Sequence, residues 1–365
     1  MATREEARQA REAKLDELHA RLTGAVEQLV TGDDWAAALR FAARFRSRSF
    51  NNTLLIWVQH AAAFAEGRVP EPFPTYVAGY KQWQQLGRQV EKGQGGYQIL
   101  APVTGRFASS HPAAPESWRR LNRGEKPKPG EVVRTRMVGV RPAYVWDASQ
   151  TSGESIPEPP SPKLLVGEAP AGLWEGLASQ VRSAGFELLV VPREGMIHGA
   201  NGMTDFEAKQ VAVRENMDPV ARVKTLAHEL AHVLMHDPDA EDARAHRGIG
   251  EVEAESVALM VGAAHGMDTT EYTIPYVSSW AARVDGKEPV EIVQATGERV
   301  RKTAAGILDQ LDTIQVGDGT PPGLDKDAPA RETKRPAPAQ DAPSRRTSAP
   351  AREPERASVA VGRGL

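Results

Sequence analysis

The residue types that could do chemistry are concentrated in one short run, HELAH, from His228 to His232. On a helix, histidines four residues apart lie on the same face, so both imidazoles can bind one zinc ion. The intervening Glu229 is turned by about 100° on such a helix, near enough to the open coordination position to take a proton from a water molecule. The run therefore predicts metal-assisted hydrolysis, with His228 and His232 as zinc ligands and Glu229 as the general base.

The surrounding sequence predicts a helix that would hold these residues. Asp218 is a natural N-cap, and Pro219 is a natural first helical residue. The segment that follows has an apolar stripe at helical spacing, made of Val223, Leu226, Ala227, Leu230, Ala231 and Leu234. His236 continues the stripe, and we interpret it as a structural histidine near the helix end.

A catalytic zinc site needs a third protein ligand and one open position. The candidates lie in a second predicted helix, GIGEVEAESVALMVGAAHG, which starts at Gly248. Glu251 and Glu255 are one turn apart on this helix, while Glu253 points elsewhere. We predict that Glu251 is the third ligand and that Glu255 accepts the free N–H of a ligand histidine. The alternatives are that Glu253 or Glu255 is the ligand, or that Glu251 is an exposed carboxylate.

The composition narrows the class of protein. The 365 residues contain no cysteine, which excludes disulfides, thiol nucleophiles and cysteine-based zinc sites. No apolar run approaches the ~20 residues that a membrane span requires. The charged N-terminus, MATREEARQA, lacks the apolar stretch of a secretory signal. We therefore expect a cytoplasmic protein without a membrane partner.

Charge divides the chain into two parts. Between Ala36 and Gln150 there are 17 Lys/Arg and 7 Asp/Glu, together with 14 of the 21 aromatic residues. Between Ala171 and Gln315 there are 13 Lys/Arg and 23 Asp/Glu. A basic part rich in aromatic residues suits single-stranded nucleic acid, whose phosphates pair with cations and whose bases stack. The acidic part would repel the same ligand.

These patterns predict an α+β protein with five segments. They are an amphipathic N-terminal helix at 1–31, a basic α+β domain at 32–150, a Pro-rich linker at 151–163, an α+β metallopeptidase domain at 164–315 and a tail at 316–365. The tail contains eight Pro and almost no large apolar side chains, so we expect it to be disordered. In the metallopeptidase domain, KQVAV at 209–213 is a candidate edge strand for an extended peptide substrate.

Two clusters in the basic domain are candidates for nucleic-acid contact. The first contains Arg46 and Arg48, which stand close together before a predicted helix. The second contains Trp83, Arg88 and Lys92, which precede a glycine-rich turn, KGQGG, whose backbone N–H groups could approach a phosphate. The alternatives are a solvated face for the arginines and a core position for the tryptophan.

The metal-site region resembles the ImmA/IrrE-type zinc metallopeptidases. Those proteins show HExxHxxxH, then a Glu, an Ala three positions later and another Ala after four more. His236, Glu251, Ala254 and Ala258 fit this pattern, whereas Glu255 stands where Asn or Asp is usual. The resemblance implies a zincin-like fold and a narrow protein target, such as a transcriptional repressor.

The basic domain resembles the N-terminal single-stranded-DNA-binding domain of the ArdC antirestriction family, through the stretches SFNNTLLIWVQ, GYKQWQQLGRQVEKGQGGYQILAP and VRPAYVWDASQTSG. The matching positions include Asn52, Gln59, Trp83 and Lys92, and the resemblance implies that they contact DNA. That family also has a C-terminal metallopeptidase-like domain. In it, Trp, Thr and Gly follow the second histidine, where this chain has Val-Leu-Met at 233–235.

The sequence leaves two main functions open. The first is a zinc-dependent metalloendopeptidase fused to a single-stranded-DNA-binding domain, acting on a specific protein target in mobile-element, antirestriction or stress regulation. The alternative is a single-stranded-DNA-binding protein of the antirestriction type, whose zinc site is structural or vestigial. A third hypothesis combines the two, with DNA binding gating a specific protease.

Overall fold

The computed structural model describes residues 4–159, 162, 167–236, 247–270, 272, 274–275, 277–281 and 288–324. The described residues form one compact unit. Helices and sheets are mixed along the whole unit, which confirms the predicted α+β class. Among the described helices, none has both the length and the apolar composition that it would need to span a bilayer.

The helices of the described residues are α1 (Arg4–Glu27), α2 (Gly32–Arg44), α3 (Phe50–Ala65), α4 (Tyr80–Gln85), α5 (Leu173–Ser183), α6 (Pro219–Met235), α7 (Arg247–Ala264), α8 (Val277–Ala281) and α9 (Pro289–Leu308). The strands are β1 (Val77–Ala78), β2 (Arg88–Val90), β3 (Tyr97–Ser109), β4 (Arg119–Arg120), β5 (Val132–Asp147), β6 (Thr151–Gly153), β7 (Glu187–Val191), β8 (Gly202–Asp205) and β9 (Gln210–Arg214). Short 3-10 turns lie at Pro115–Ser117, Ala148–Gln150 and Glu194–Ile197.

The first helix lies within the segment that the sequence predicts to be an amphipathic helix. α1 buries Leu18, Leu22 and Val26, and it packs against α3. α2 begins with a capping box, in which the Asp34 N–H donates to Thr31 Oγ1 over 3.1 Å and the Thr31 N–H donates to the Asp34 carboxylate over 2.8 Å. Such a cap stabilises a helix start by about 1 kcal/mol. It fixes the start of α2, where Gly32 lies against the backbone of Ile274.

Helices of the basic part and helices of the acidic part of the chain share one hydrophobic core. α2 packs on α7, where the indole Nε1 of Trp35 donates to Ser256 Oγ over 2.9 Å and both side chains are fully buried. Phe50, at the start of α3, lies against Gly297 of α9, where a Cβ atom would stand 2.4 Å from the ring. The helix that carries Glu251 is therefore supported by the N-terminal part of the chain.

A long antiparallel pair, β3 with β5, dominates the sheet β1-β5-β3-β4. Its register runs from Tyr97 opposite Val145 to Ser109 opposite Val132 and shifts once, so that Val138 has no partner across the strand. Next to this bulge, residues 134–139 of β5 are exposed to solvent, and Met137 is 67% exposed. We call residues 104–141 the arm.

The second large sheet lies beside α6 and has the order β7-β9-β8. β9 pairs in parallel with β7 and antiparallel with β8. The prediction that KQVAV is an edge strand is therefore wrong: Val211 and Val213 are fully buried, and both sides of the strand are hydrogen-bonded. The edge strand next to α6 is β8.

The packing crosses two of the predicted segment boundaries. Thr151–Gly153, placed by composition in the linker, forms β6 and pairs with β2. Residues 316–324, placed by composition in the tail, belong to the compact unit, and the Val77 N–H donates to Gly319 O over 2.9 Å. Composition misses such segments because a backbone hydrogen bond needs no apolar side chain. The rest of the predicted tail, 325–365, lies outside the described residues.

Candidate metal centre and nucleic-acid interface

α6 begins as the sequence predicts and carries both histidines of the HELAH run. Asp218 caps it by accepting the Ala221 N–H over 2.9 Å. Most of the predicted apolar stripe is buried, although its last member, Leu234, is 48% exposed. His228 and His232 lie one turn apart, with ring centroids 4.8 Å from each other.

The structure brings Glu251 of α7 to these two histidines. The Nε2 atoms of His228 and His232 are 3.0 Å apart. The Glu251 carboxylate oxygens lie 3.5 Å from the first and 3.7 Å from the second. Among the residues that the structure describes, these three form the one cluster of His and acidic side chains arranged to hold a metal ion.

These separations suit a small divalent cation. Zinc binds imidazole nitrogen at about 2.0–2.1 Å and carboxylate oxygen at about 2.0–2.2 Å, so two ligand atoms of a tetrahedral site lie roughly 3.3 Å apart. The observed spacings, 3.0 to 3.7 Å, bracket that value. The Glu251 side chain is 69% exposed, so this side of the cluster is open to solvent. The donor set therefore fits a cation with room for one more ligand.

Glu255 lies behind His228, on the side away from the cluster. Its carboxylate is 3.2 Å from His228 Nδ1 and 2.9 Å from Lys224 Nζ. Burial opposes ionisation of this carboxyl, but hydrogen bonds from His228 and Lys224 outweigh it and lower the pKa of Glu255. The carboxylate can accept the Nδ1 proton, and Nε2 of His228 faces the cluster. This is the geometry expected for the role that the sequence predicts for Glu255.

Glu253, the alternative ligand, points to the other end of α6. Its carboxylate contacts His236 Nε2 at 3.1 Å, and the residue is only 5% exposed. His236 in turn places its Nδ1 atom 2.9 Å from Nδ1 of His232. The histidine that the sequence suggested to be structural therefore touches a candidate metal ligand.

Glu229 is held by a strand that the sequence analysis did not connect with the site. The Thr204 hydroxyl of β8 donates to the Glu229 carboxylate over 2.7 Å. At Gly202 of the same strand, a Cβ atom would lie 2.6 Å from the other carboxylate oxygen, so only glycine leaves room for Glu229. Burial raises the pKa of Glu229. No spacing in the sequence links these residues, because they meet only when β8 packs on α6.

The candidate ligands shift one another's pKa. Burial opposes charging of the His228 imidazole, but hydrogen bonds to Glu251 and Glu255 raise the pKa of His228 to about 9. The same kind of contact, from His228 and then His232, lowers the pKa of Glu251. The imidazoles and the Glu251 carboxylate are therefore coupled electrostatically.

Most of the residues predicted to contact DNA are engaged inside the fold. Arg46 donates to Val316 O over 2.9 Å, and Arg48 donates to Val77 O over 2.7 Å. Burial lowers the pKa of both guanidinium groups. Both guanidinium groups therefore donate to backbone carbonyls inside the fold instead of pointing into solvent. A role for them in DNA contact stays a prediction.

Asn52 and Gln59 of α3 pair with the backbone of β3. The amide of Asn52 both donates to Leu100 O and accepts its N–H, over 3.0 and 2.9 Å. Gln59 makes the same pair of hydrogen bonds with Gln98, at 2.9 Å each. These two amides therefore fasten α3 to the sheet.

The remaining candidates divide into two kinds. Trp83 is fully buried, and its Nε1 donates to Trp146 O over 3.0 Å. Arg88 donates through Nε to Thr151 Oγ1 over 2.8 Å, which joins β2 to β6. Lys92 is exposed. Of the seven predicted residues, Lys92 has the side chain best placed to reach a ligand.

The structure reveals a different cationic surface on the arm. The guanidinium groups of Arg134 and Arg136 lie over one ring, that of Trp118, at 4.8 and 5.0 Å from its centroid. Arg136 also lies 5.9 Å from the Phe107 ring. Arg134, Arg136 and Arg120 are exposed, and no described carboxylate forms an ion pair with them. We call these five residues the arginine–tryptophan face.

Sequence analysis missed this face, although one signal was present. Arg134 and Arg136 are two residues apart in EVVRTRMVGV, an alternating pattern typical of a strand, in which they would share one face. The position of Trp118 gives no such signal, because it reaches the face only through the pairing of β4 with β3. The whole arm carries nine Lys/Arg and three Asp/Glu.

Two family models match separate parts of the chain. Residues 8–146 match the N-terminal domain of the anti-restriction factor ArdC, and residues 193–275 match the IrrE N-terminal-like domain of a peptidase family. The first match ends within β5, and the second contains the whole of α6 and α7. Both resemblances inferred from the sequence are confirmed.

Relatives over most of the chain are distant. An uncharacterized protein of Bacillus anthracis is 25% identical over 309 residues, which are 80% of this chain and 50% of the relative, so this chain spans half the length of that protein. A metal-free crystal structure of the antirestriction ArdC protein from the R388 plasmid is 16% identical, with a TM-score of 0.46, over 79% of this chain and 97% of that one. Its Mn(II)-bound structure is 17% identical, with a TM-score of 0.39, over 72% and 88%.

Proposed function

We propose that this chain, in which an ArdC-type N-terminal domain precedes an IrrE-type peptidase domain, is a zinc-dependent metalloendopeptidase that also binds single-stranded DNA. The observation that carries the proposal is the convergence of His228, His232 and Glu251 within reach of one cation. Glu229 lies between the two histidines on the same helix, where a general base belongs. The target is proposed to be one specific protein, as the likeness to IrrE-type peptidases suggests.

Zinc is the metal proposed, because two neutral imidazoles and one carboxylate with an open fourth position are a common ligand set of catalytic zinc. His228, His232 and Glu251 would hold it. When bound, zinc polarises a scissile carbonyl and makes a water molecule easier to deprotonate. Manganese is the metal to test beside it, since Mn(II) is bound in one ArdC crystal structure.

Glu229 would move the proton. Burial raises the pKa of its carboxyl, which favours a group that takes a proton from water and then gives it to the leaving amine. The Thr204 hydroxyl holds one carboxylate oxygen, so the carboxylate has a fixed direction. The bare Cα of Gly202 leaves the other oxygen room to exchange the proton.

The substrate would be held by β8, the edge strand beside α6. An extended peptide can add to the open side of such a strand through main-chain hydrogen bonds. Because Thr204 of β8 contacts Glu229, a peptide added to this strand would run close to the general base. This arrangement favours a peptide bond over a small ester or amide as the substrate.

The experiment compares the wild-type protein with Glu229→Gln in cells, with fragments identified by proteomics. The variant keeps the shape of the side chain and removes the base, so cleavage should fall by about 10²–10⁴-fold. Zinc content and DNA binding should stay at the wild-type level. The matched control is Glu207→Gln, an exposed glutamate in the turn between β8 and β9. Equal cleavage by Glu229→Gln and the wild type would remove Glu229 from the mechanism.

The arginine–tryptophan face favours a second candidate function, in which the protein binds single-stranded DNA and the metal site has only a structural role. Arginines spread over aromatic rings can pair with phosphates while bases stack on exposed aromatic surface. Zinc content without any glutamate-dependent fragment, together with salt-sensitive binding of single-stranded oligonucleotides, would support this candidate. If fragments form only when single-stranded DNA is supplied, DNA binding gates the protease.

A further inference from the structure

Each candidate metal-binding imidazole has a partner for its second ring nitrogen. His228 Nδ1 meets the Glu255 carboxylate directly, at 3.2 Å. His232 Nδ1 meets a second imidazole instead, Nδ1 of His236, at 2.9 Å. The partners of the two Nδ1 atoms therefore differ in chemistry, although His228 and His232 are equivalent in the sequence motif.

When His228, His232 and Glu251 hold a cation, the contacts around His236 allow one arrangement of protons on the His232 and His236 rings. His232 faces the cluster with Nε2, so its proton must be on Nδ1. That N–H donates to His236 Nδ1, which leaves the His236 proton on Nε2. The Nε2–H then donates to the Glu253 carboxylate, 3.1 Å away. Every donor in this chain of hydrogen bonds has an acceptor.

The far end of the chain is closed by an ion pair. Arg299 of α9 donates through Nε to the other Glu253 oxygen over 2.7 Å. Glu253 is 5% exposed, and a buried carboxylate is stable only when its charge is paired and its oxygens accept hydrogen bonds. Arg299 thus pairs with Glu253 beside His236. The other Glu253 oxygen is the acceptor that His236 Nε2 faces.

We propose that His236, oriented by Glu253 and Arg299, is a positioning residue that fixes the tautomer and the direction of the His232 imidazole toward the metal ion. The proposal rests on the proposed metal site. His236 touches no substrate and binds no metal itself. Its effect is to keep the Nε2 lone pair of His232 directed at the cation, which is the role that a hydrogen-bonded partner has for most metal-binding histidines.

The test measures zinc affinity of the full chain by competition with a chelator, with Co²⁺ absorption as a second readout. His236→Ala removes the acceptor for His232 and should weaken zinc binding by about 10- to 100-fold. The Co²⁺ spectrum should change as well, because the imidazole can rotate. His236→Asn places an amide oxygen near the former Nδ1 position, and it should recover most of the affinity.

Two controls separate positioning from folding. Leu234→Ala removes an exposed side chain from the same turn of α6 and should leave zinc affinity unchanged. The melting temperature of the metal-free protein reports any general loss of structure. If His236→Ala lowers only the melting temperature, with wild-type zinc affinity and Co²⁺ spectrum, the residue is structural and the proposal is wrong.

Glu253→Gln tests the second step. An amide still accepts the His236 proton but no longer carries a charge, so the loss of zinc affinity should be smaller than for His236→Ala. In the double variant the two losses should not add, because both residues act through His232. Additive losses would overturn the chain of contacts. A wild-type protein that binds no zinc would overturn the proposed function itself, whereas wild-type binding with an unaffected His236→Ala overturns this inference alone.

Discussion

The metal centre and the arginine–tryptophan face are both clusters of polar side chains, but the chain builds them in different ways. The metal centre takes two of its three candidate ligands from one turn of α6 and the third from the next described helix, α7. The face is assembled from three strands and a loop, through the pairing of β3 with β4 and β5. Local spacing predicts the first cluster, whereas only long-range strand register produces the second.

The two clusters also have opposite charge and therefore attract opposite ligands. Two carboxylates, Glu251 and Glu255, contact the two imidazoles of the candidate metal centre, and this donor set suits a cation. The arm has nine Lys/Arg and three Asp/Glu and suits a polyanion. Because the two share no side chain, substitution in one should leave the ligand of the other bound. The two clusters should therefore bind their ligands independently of each other.

The largest effect is expected from Glu251→Ala. Removing one of three protein ligands should weaken zinc binding by more than about 100-fold, beyond the loss caused by a residue that only supports a ligand. The side chain is 69% exposed, so its loss leaves no buried cavity and the protein should fold normally. Isothermal titration of zinc measures the change, and a single-stranded oligonucleotide should bind as to the wild type. Retained zinc affinity would mean that another carboxylate is the ligand.

A smaller effect is expected from the double variant Arg134→Ala/Arg136→Ala. Loss of two cations that lie over Trp118 should weaken binding of a single-stranded oligonucleotide by roughly 30-fold at low salt. The slope of log affinity against log salt should fall by about 0.7 for each phosphate that the variant no longer pairs. Zinc affinity should not change. The matched control is Arg182→Ala/Arg193→Ala, two exposed arginines of the acidic part. If both double variants bind DNA like the wild type, the arm is not the interface.

The helical parts of the site could be predicted because their geometry is local. The spacing of His228 and His232 and the cap at Asp218 together determine where α6 starts and which way the imidazoles face. Helical periodicity also separates Glu253 from Glu251 and Glu255, and the structure directs it to His236. These inferences needed only a helix and a second helix packed against it.

The strand-based parts could not be predicted in the same way. Thr204 reaches Glu229 from β8, and no residue spacing records which strand is at the edge of the sheet. The error over KQVAV has the same origin, because an edge strand and a central strand of five residues have similar apolar patterns.

Composition alone also does not predict where an arginine side chain points. It does not distinguish a guanidinium that binds backbone carbonyls inside the fold, as Arg46 and Arg48 do, from one that faces solvent, as Arg134 does. The position of the basic patch along the chain could be inferred, but the side chains that form its accessible surface could not.

The smallest effect is expected from Lys92→Ala, which decides between the two candidate DNA surfaces. Lys92 is exposed beside the KGQGG turn, but the turn uses backbone groups internally: the Gln94 N–H donates to Glu91 O, and Gly95 O accepts from Gln150 Nε2. The exposed lysine should therefore contribute one screened charge. Oligonucleotide affinity should fall by about threefold, with a change in salt slope below about 1. A loss larger than that of the Arg134→Ala/Arg136→Ala variant would move the interface from the arm to this turn. It would also restore the sequence-based choice of DNA-binding residues.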